Sequence, residues 1–149
     1  EDEETKIIVI VHWGNSNQSN EDLTRQKSYI QQLSEAGADI IIGHGNYNMQ
    51  GIEQINRTLV LHNIGVGVSN NNISEKIFNQ FPYSFIAQLN IRYNHTISLK
   101  LYPIYQDNYQ PRFVNEEEFM HCLTLLKANG TFSKIPTKKD SHYYFKIPL

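Results

Sequence analysis

Two motifs that each contain a histidine follow apolar runs of the chain. His12 lies in the motif VHWG after the apolar run 7–11, and His44 lies in the motif GHGN after the run 40–42. One helix-length segment separates them. If the runs are neighbouring parallel strands, both histidines lie at one sheet edge, where strands are about 5 Å apart and α/β proteins bind ligands. Because imidazole is a common metal ligand, the spacing predicts a catalytic or metal site at His12 and His44.

The segment between the motifs is predicted to be a helix that begins at Asn20. Asparagine is a favoured N-cap, and acidic residues follow it in the first turn. Gly37 is expected at the C′ position, directly before a strand over 39–43. Such a strand–helix–strand unit is expected to form a right-handed parallel crossover. Leu23, Ile30 and Leu33 are predicted to share the buried face of the helix, either alone or together with Tyr29.

The rest of the chain has a mixed pattern. The predicted elements are a short helix or loop over 46–54, a strand over 58–64, a polar loop over 69–72, a short helix over 74–81, a hairpin of strands 84–93 and 96–105 with its turn at Asn94-His95, a loop over 107–111, a helix over 116–127 capped by Asn115, and a tail that forms a loop and a final edge strand. Alternation in the hairpin is typical of a sheet with one solvated face.

Composition excludes some classes of protein. The chain has 149 residues, 40% hydrophobic and 19% charged, with a net charge of -2. No basic stripe supports nucleic-acid binding. One cysteine, Cys122, allows no internal disulfide, and no run reaches the roughly 20 apolar residues of a membrane span. The charged start at 1–5 without a methionine is interpreted as the leader of a piece cut from a longer protein.

An ordered series of motifs resembles the carboxyl half of the bacterial CapA-type capsule-synthesis family (PGA_cap), which makes poly-gamma-glutamate capsules. The series covers about 6–114. The matching motifs are HWG at 12–14, AGAD at 36–39, GH at 43–44, Gln50, YP at 102–103 and QP at 110–111. The resemblance implies the second half of a calcineurin-like metallophosphoesterase fold, an αββα sandwich. It also implies that the amino half would supply further metal ligands.

Two departures from the family pattern bear on the site. Where the family has a His-Pro-His triplet, this chain has GNY, so Tyr47 replaces a histidine. Where the family has Gly-Asn-Phe, this chain has GVG at 65–67. Two-metal phosphoesterases hold ions roughly 3.5–4 Å apart with a full set of ligands. The expected site is therefore weakened or inactive, unless the full-length protein binds Mn, Fe or Zn through His12 and His44.

Other candidate residues have structural alternatives. His62 ends an apparent strand and either joins His12 and His44 as a third ligand or is a structural histidine. The glycines at 65–67 lack the spacing of a phosphate-binding loop and are expected to serve turn geometry or close packing. Cys122 lacks a base on its own helix face and is interpreted as a core or surface thiol. A group of tyrosines suits polymer contacts or sheet packing: Tyr102, Tyr105, Tyr109, Tyr143 and Tyr144.

The predicted fold is α/β, with a parallel βαβ start followed by antiparallel strands. Residues 1–149 are interpreted as one domain or a fragment of a larger one, with a family-like core at 6–114 and a helix and terminal strand at 115–149. The predicted function is that of a domain of a capsule or cell-envelope polymer biosynthesis protein. The alternatives are an active metal-dependent phosphoesterase or amide hydrolase completed outside this chain, and a non-catalytic module that binds a polymer or a partner.

Location and partners follow from the resemblance. Family members sit at the bacterial cell envelope, on the outer membrane face or cell surface, and the alternative is a cytoplasmic protein fused to a Mur-type ligase. The expected partners are the remainder of the parent protein, an anionic polymer or a peptide ligase, and a second copy that covers an exposed sheet edge. A nucleic acid is not expected.

Overall fold

The computed structural model describes residues 5–13, 20–47, 49–68, 82–92, 97–107, 109–128, 136–139 and 142–148. In chain order their elements are β1 (Ile8–His12), α1 (Asn20–Glu35), β2 (Ile40–His44), β3 (Ile52–Ile55), β4 (Thr58–Leu61), β5 (Tyr83–Ile91), β6 (Ile97–Asp107), β7 (Gln110–Phe113), α2 (Glu116–Ala128), β8 (Pro136–Lys139) and β9 (His142–Pro148). The loop predicted at 69–72, the helix at 74–81 and the turn at Asn94-His95 lie outside the described residues.

The first sheet has the strand order β1-β2-β4-β3. β1, β2 and β4 are parallel, and β3 is antiparallel to β4. The predicted parallel β1–α1–β2 crossover is therefore confirmed. All residues of β4 are buried, and all residues of β2 except the last are buried. Because both faces of these strands are covered, their sequences are largely continuous apolar runs.

The end of α1 was predicted from Gly37, and the structure confirms it. Gly37 has a φ of 97°, which a glycine adopts without a steric penalty. The amide of Ala38 donates to the Leu33 carbonyl (3.0 Å), and the amide of Gly37 donates to the Ser34 carbonyl (3.1 Å). This pair of bonds is a Schellman motif, and it turns the chain directly into β2.

The predicted buried face of α1 was partly wrong. Ile30 is 1% exposed, but Leu23 is 39% and Tyr29 56% exposed. Tyr29 lies 100° around the helix from Ile30 and so points away from the sheet. The buried stripe instead continues to Gln26, whose Nε2 donates to the carbonyl of His62 at 3.3 Å. The stripe does not extend to the first turn, which leaves Leu23 exposed.

The second sheet has the order β5-β6-β9-β8, with β7 paired to β6. Leu89 faces Leu99 in the β5–β6 ladder, so the predicted antiparallel pair is confirmed. Leu99 and Leu101 face Ile147 and Phe145 across the β6–β9 ladder, and all four are buried. These residues define the inner face of the second sheet.

Three strands were missed by the sequence analysis. The segment 46–54, predicted as a helix or loop, contains the start of β3, which is joined to β4 by a tight turn with Asn56 at a φ of 52°. The loop predicted at 107–111 contains the first two residues of β7, which follows Tyr109 at a φ of 66° and pairs back with β6. The tail forms a β8–β9 hairpin, so a strand replaces part of the predicted loop.

The sequence analysis predicted that the last strand lies at an edge of its sheet, and this prediction is wrong. β9 lies between β6 and β8, and β8 is the outer strand. The reason is packing: Phe145 is 0% and Ile147 4% exposed, which places β9 over the core. A strand that pairs on both sides leaves no row of unpaired backbone N–H and C=O groups open to other chains.

One core joins both sheets and α2. It contains Ile40 and Ile42 of the first sheet together with Leu99 and Phe145 of the second. Phe119 of α2 stacks on Phe145 with ring centroids 4.8 Å apart, so α2 covers the inner face of the second sheet. The α/β class is confirmed. Neither helix in the described part of the chain combines the length and apolarity that a membrane crossing requires.

Candidate functional site

The two histidines come together as the sequence predicts. His12 and His44 are partners in the parallel ladder between β1 and β2, at the carboxyl ends of both strands. Their rings meet edge to face, with centroids 5.0 Å apart at an interplanar angle of 75°. His12 is exposed and His44 is half-buried. Both side chains therefore lie on one side of the sheet edge, within reach of solvent.

The two glycines beside His44 make room for this arrangement. A Cβ at Gly43 would overlap the His62 carbonyl and Trp13 Nε1. A Cβ at Gly45 would lie 2.6 Å from Nε2 of His12, and Gly45 has a φ of 100°. Close packing thus accounts for both glycines. The imidazole of His12 rests directly on the backbone that follows His44.

Trp13 is a member of the site that the sequence analysis did not single out. Its amide donates to the His44 carbonyl at 2.9 Å, which extends the β1–β2 ladder by one residue. Its indole Nε1 is buried and has no hydrogen-bond partner in the part of the chain that the structure describes. The signal in the sequence was its place directly after His12 in an apolar setting. Buried polar atoms without partners are uncommon and cost free energy.

The loop after β2 is tied to the loop after β4. Asn63 is 1% exposed, and its Nδ2 donates to the carbonyl of Asn46 at 2.9 Å. The amide of Gln50 donates to the Asn63 carbonyl, also at 2.9 Å. Asn46 is buried, and its Oδ1 finds no hydrogen-bond partner within the described ranges. Gln50, a family-like residue, therefore serves here through its backbone in joining the two loops.

His62 is engaged elsewhere. Its Nε2 lies in contact with Oε1 of Glu53 on β3, as an ion pair when the imidazole is protonated. The described residues contain no group of three or more His, Cys, Asp or Glu side chains placed to hold a metal ion. The structure thus brings His12 and His44 together and leaves His62 with Glu53. Two imidazoles alone do not make up a structural or catalytic metal site, which needs at least three protein ligands.

The glycine loop at 65–67 has a packing role. Gly65 has a φ of 80°, and a Cβ there would lie 2.7 Å from Cβ of Ser84. The carbonyl of Val66 accepts a hydrogen bond from Nε2 of Gln106, a residue 5% exposed. The loop therefore connects the first sheet to the second.

The motif AGAD at 36–39 is also accounted for structurally. Its glycine ends α1. Oδ2 of Asp39 accepts from the Ile7 amide (2.9 Å), and Oδ1 pairs with Nζ of Lys6 (3.0 Å). The motif thus joins the end of α1 to the start of β1.

Cys122 is not a nucleophile in this arrangement. It is 0% exposed, and burial raises the pKa of its thiol to about 12. The neighbouring His121 is exposed, with Nδ1 3.4 Å from the hydroxyl of Tyr83. A reactive cysteine needs the opposite setting, a lowered pKa and access to solvent. Of the two alternatives for Cys122, the core thiol is confirmed.

The tyrosines divide between two faces of the second sheet. Tyr143 stacks on Phe119 with centroids 5.0 Å apart on the inner face. Tyr102 and Tyr144 contact each other on the outer face, with centroids 5.3 Å apart. Tyr105 lies under the guanidinium of Arg112, at 4.3 Å from Cζ to the ring centroid, and Tyr109 is exposed in the turn before β7.

Comparison with known proteins gives consistent results. The family model described as bacterial capsule synthesis protein PGA_cap matches residues 2–71. Over 141 residues, 95% of this chain, the sequence is 29% identical to the PGA biosynthesis protein CapA of Bacillus subtilis (strain 168). Over 98 residues, 66% of this chain, it is 26% identical to the capsule biosynthesis protein CapA of Bacillus anthracis.

The matched regions are 33% and 22% of those two proteins, so this chain spans a third or less of their length. The family match covers β1, α1, β2, β3 and β4, and so contains both site histidines. The family model and both relatives agree: the chain is similar to the CapA-type bacterial capsule synthesis proteins.

Proposed function

We propose that this chain is a domain of a capsule or cell-envelope polymer biosynthesis protein, and that its own residues do not form a complete metal centre. Similarity to a capsule synthesis family supports an association of the chain with the cell envelope. The polymer is proposed to be poly-γ-glutamate or a related anionic chain, since both relatives carry capsule or PGA biosynthesis in their names.

The observation that carries the proposal is that the described residues contain no group of three or more His, Cys, Asp or Glu side chains that could hold a metal ion around the two imidazoles. His12 and His44 lie with ring centroids 5.0 Å apart, and no third metal-ligating side chain joins them within the described ranges. Tyr47 stands where the family pattern has a histidine. His62, the candidate third ligand, contacts Glu53 instead. A weakened or inactive site is the expected consequence of an incomplete ligand set.

The second candidate is an active metal-dependent phosphoesterase or amide hydrolase. It is favoured by the position of the pair, because both histidines lie at the carboxyl edge of parallel strands, where α/β proteins bind ligands. Residues of the parent protein outside this chain would then complete the site. A bound Mn, Fe or Zn ion would supply activated water and neutralise charge on a phosphate.

Metal content of the full-length parent protein tests the proposal. The protein is purified without chelator, beside a His12→Ala/His44→Ala variant and a His121→Ala control that removes an exposed imidazole from α2. We expect no stoichiometric metal in any of the three. Near-stoichiometric metal that is lost only in the double variant would overturn the proposal in favour of the hydrolase, as would phosphoester hydrolysis with the same dependence.

The proposed location is the cell surface or the outer face of the membrane, and the proposed partners are the rest of the parent protein and an anionic polymer. Protease treatment of intact cells tests the location, since a surface domain is cut without lysis. Protection until lysis would support the alternative, a cytoplasmic protein fused to a Mur-type peptide ligase.

A second copy of the chain is a further proposed partner. It would cover the edge of the first sheet at β1, where Ile10 is 67% exposed.

A further inference from the structure

The outer face of the second sheet carries a groove lined by cationic side chains. Its volume is about 590 Å³. We call it the basic groove, and six of its lining residues carry the argument: Asn90, Arg92, Ser98, Lys100, Tyr144 and Lys146. Three are cations and none is acidic. A cationic cluster in a chain of net charge -2 is a local feature, not a consequence of overall composition.

Two of the lysines are placed against each other. Lys100 and Lys146 are direct partners in the antiparallel β6–β9 ladder. Partners of this kind have Cβ atoms about 5 Å apart, and like charges there are destabilising. Nζ of Lys100 lies 5.0 Å from the ring centroid of Tyr144, a cation–π contact. Within the described ranges neither lysine has an acidic partner, so no described acid offsets the repulsion.

A buried donor points to the same conclusion. Nδ2 of Asn90 is buried and has no hydrogen-bond partner among the residues that the structure describes. Asn90 faces Ser98 across the β5–β6 ladder, next to the row that contains Lys100. An amide N–H that is withdrawn from water without a partner costs free energy. An anion in the groove would accept from it.

We propose that the basic groove binds the carboxylates of an anionic polymer chain. Lys100 and Lys146 lie side by side on adjacent strands, which are about 5 Å apart. Arg92 lies beyond the end of β5, four residues from the residue that faces Lys100, so the three cations can meet carboxylates at separate points along a polymer chain. Tyr102 is half-buried, rests against the buried Tyr144, and supplies an adjoining aromatic surface for the apolar part of such a chain. A bound polyanion would offset the repulsion between Lys100 and Lys146.

The choice of a carboxylate polymer rests on the proposed function, whereas the cationic character of the groove does not. The groove lies on the second sheet and shares no residue with the histidine pair. The His12→Ala/His44→Ala variant is therefore expected to bind the polymer as the wild type does. Binding and metal content can accordingly fail independently of each other.

The test measures binding of fluorescently labelled poly-γ-glutamate to the full chain by anisotropy at low salt. We expect the Lys100→Gln/Lys146→Gln variant to lose on the order of tenfold in affinity. The matched control is Lys27→Gln, which removes an exposed lysine from α1 and is expected to change affinity by less than about twofold. Affinity of the wild type should fall as NaCl is raised.

A second variant separates binding from folding. Lys146→Glu places an acid opposite Lys100. The free energy of unfolding should therefore be unchanged or higher, while the affinity for the polymer should fall below that of the wild type. The proposal is overturned if the wild type does not bind, or if the double variant binds as tightly as the wild type. The carboxylate assignment is overturned if polyphosphate binds as tightly as poly-γ-glutamate and loses affinity equally in the double variant.

Discussion

His12 and His44 are in-register partners at the ends of two parallel strands, and their imidazole rings meet edge to face with centroids 5.0 Å apart. The contact depends on Gly45, because the ring of His12 occupies the space where any other residue would place its Cβ. The geometry of the pair is therefore set by a glycine as much as by the strands.

Replacement of Gly45 by alanine is predicted to destabilise the fold and displace His12. Two costs add up. Alanine adopts a φ of 100° only at a cost of about 1–2 kcal/mol, and its Cβ would lie 2.6 Å from Nε2 of His12. We expect Gly45→Ala to lower the free energy of unfolding by about 2–4 kcal/mol, measured in urea. The ring resonances of His12 and His44 should shift in NMR spectra.

Gly37→Ala is the matched control for this prediction. Gly37 has a similar φ of 97°, but nothing lies within 4 Å of its Cβ position. It carries the backbone cost alone, about 1–2 kcal/mol, and leaves both histidine rings in place. Equal losses in the two variants, with unchanged histidine resonances in both, would contradict the close packing of His12 on Gly45.

The positions of the site histidines could be predicted because the signals are local. An apolar run predicts a buried parallel strand, and its last residue marks the edge. Gly37 and Asn115 likewise marked helix ends through the chemistry of their own turns. Each of these predictions needed only a few consecutive residues.

The missing parts depend on contacts between distant residues. The pairing of Lys100 with Lys146 requires that β9 lie beside β6, and the sequence analysis had placed the last strand at an edge. His62 meets Glu53 on β3, a strand predicted as a helix or loop. Neither partner could be identified from alternation alone, because alternation gives the face of a strand and not its neighbour.

The N-terminus of α2 is predicted to lose stability in acid. Oε2 of Glu118 accepts from the Asn115 amide (2.8 Å), and Oδ1 of Asn115 accepts from the Glu118 amide (2.9 Å). The Arg112 guanidinium donates to both carboxylate oxygens of Glu118 and holds the pKa of that carboxyl below its usual range. This stabilisation is present above the usual pKa and is lost as the pH falls through the folded pKa.

Glu118→Gln should remove that dependence and cost about 1 kcal/mol at pH 7, since both ion-pair partners retain some exposure. Urea unfolding between pH 7 and pH 3 measures it. Glu117→Gln is the control, because Glu117 is an exposed acid one residue earlier in the same turn. An acid-side slope that is the same in wild type and Glu118→Gln would contradict the capping role.

Stability is predicted to fall on the alkaline side as well. Burial raises the pKa of the Cys122 thiol to about 12, and burial also raises the pKa of the Tyr83 hydroxyl to about 12. In the unfolded chain the pKa of the cysteine thiol is about 8.5 and that of the tyrosine hydroxyl is about 10. The folded protein therefore keeps protons that the unfolded chain releases. The contribution of these two groups to the free energy of unfolding is constant below about pH 8, and it decreases as the pH rises toward 12.

Cys122→Ala isolates the first part of this decrease. The variant loses some packing at every pH, since Cys122 is 0% exposed, but its free energy of unfolding should stay level from pH 8 to pH 9.5 where the wild type declines. Tyr83→Phe should keep the thiol-dependent decline and flatten the curve above about pH 10. Urea unfolding between pH 8 and pH 12 measures these differences. If the free energy of unfolding of the wild type and of Cys122→Ala changed in parallel with pH, the thiol would ionise as readily in the folded chain as in the unfolded one.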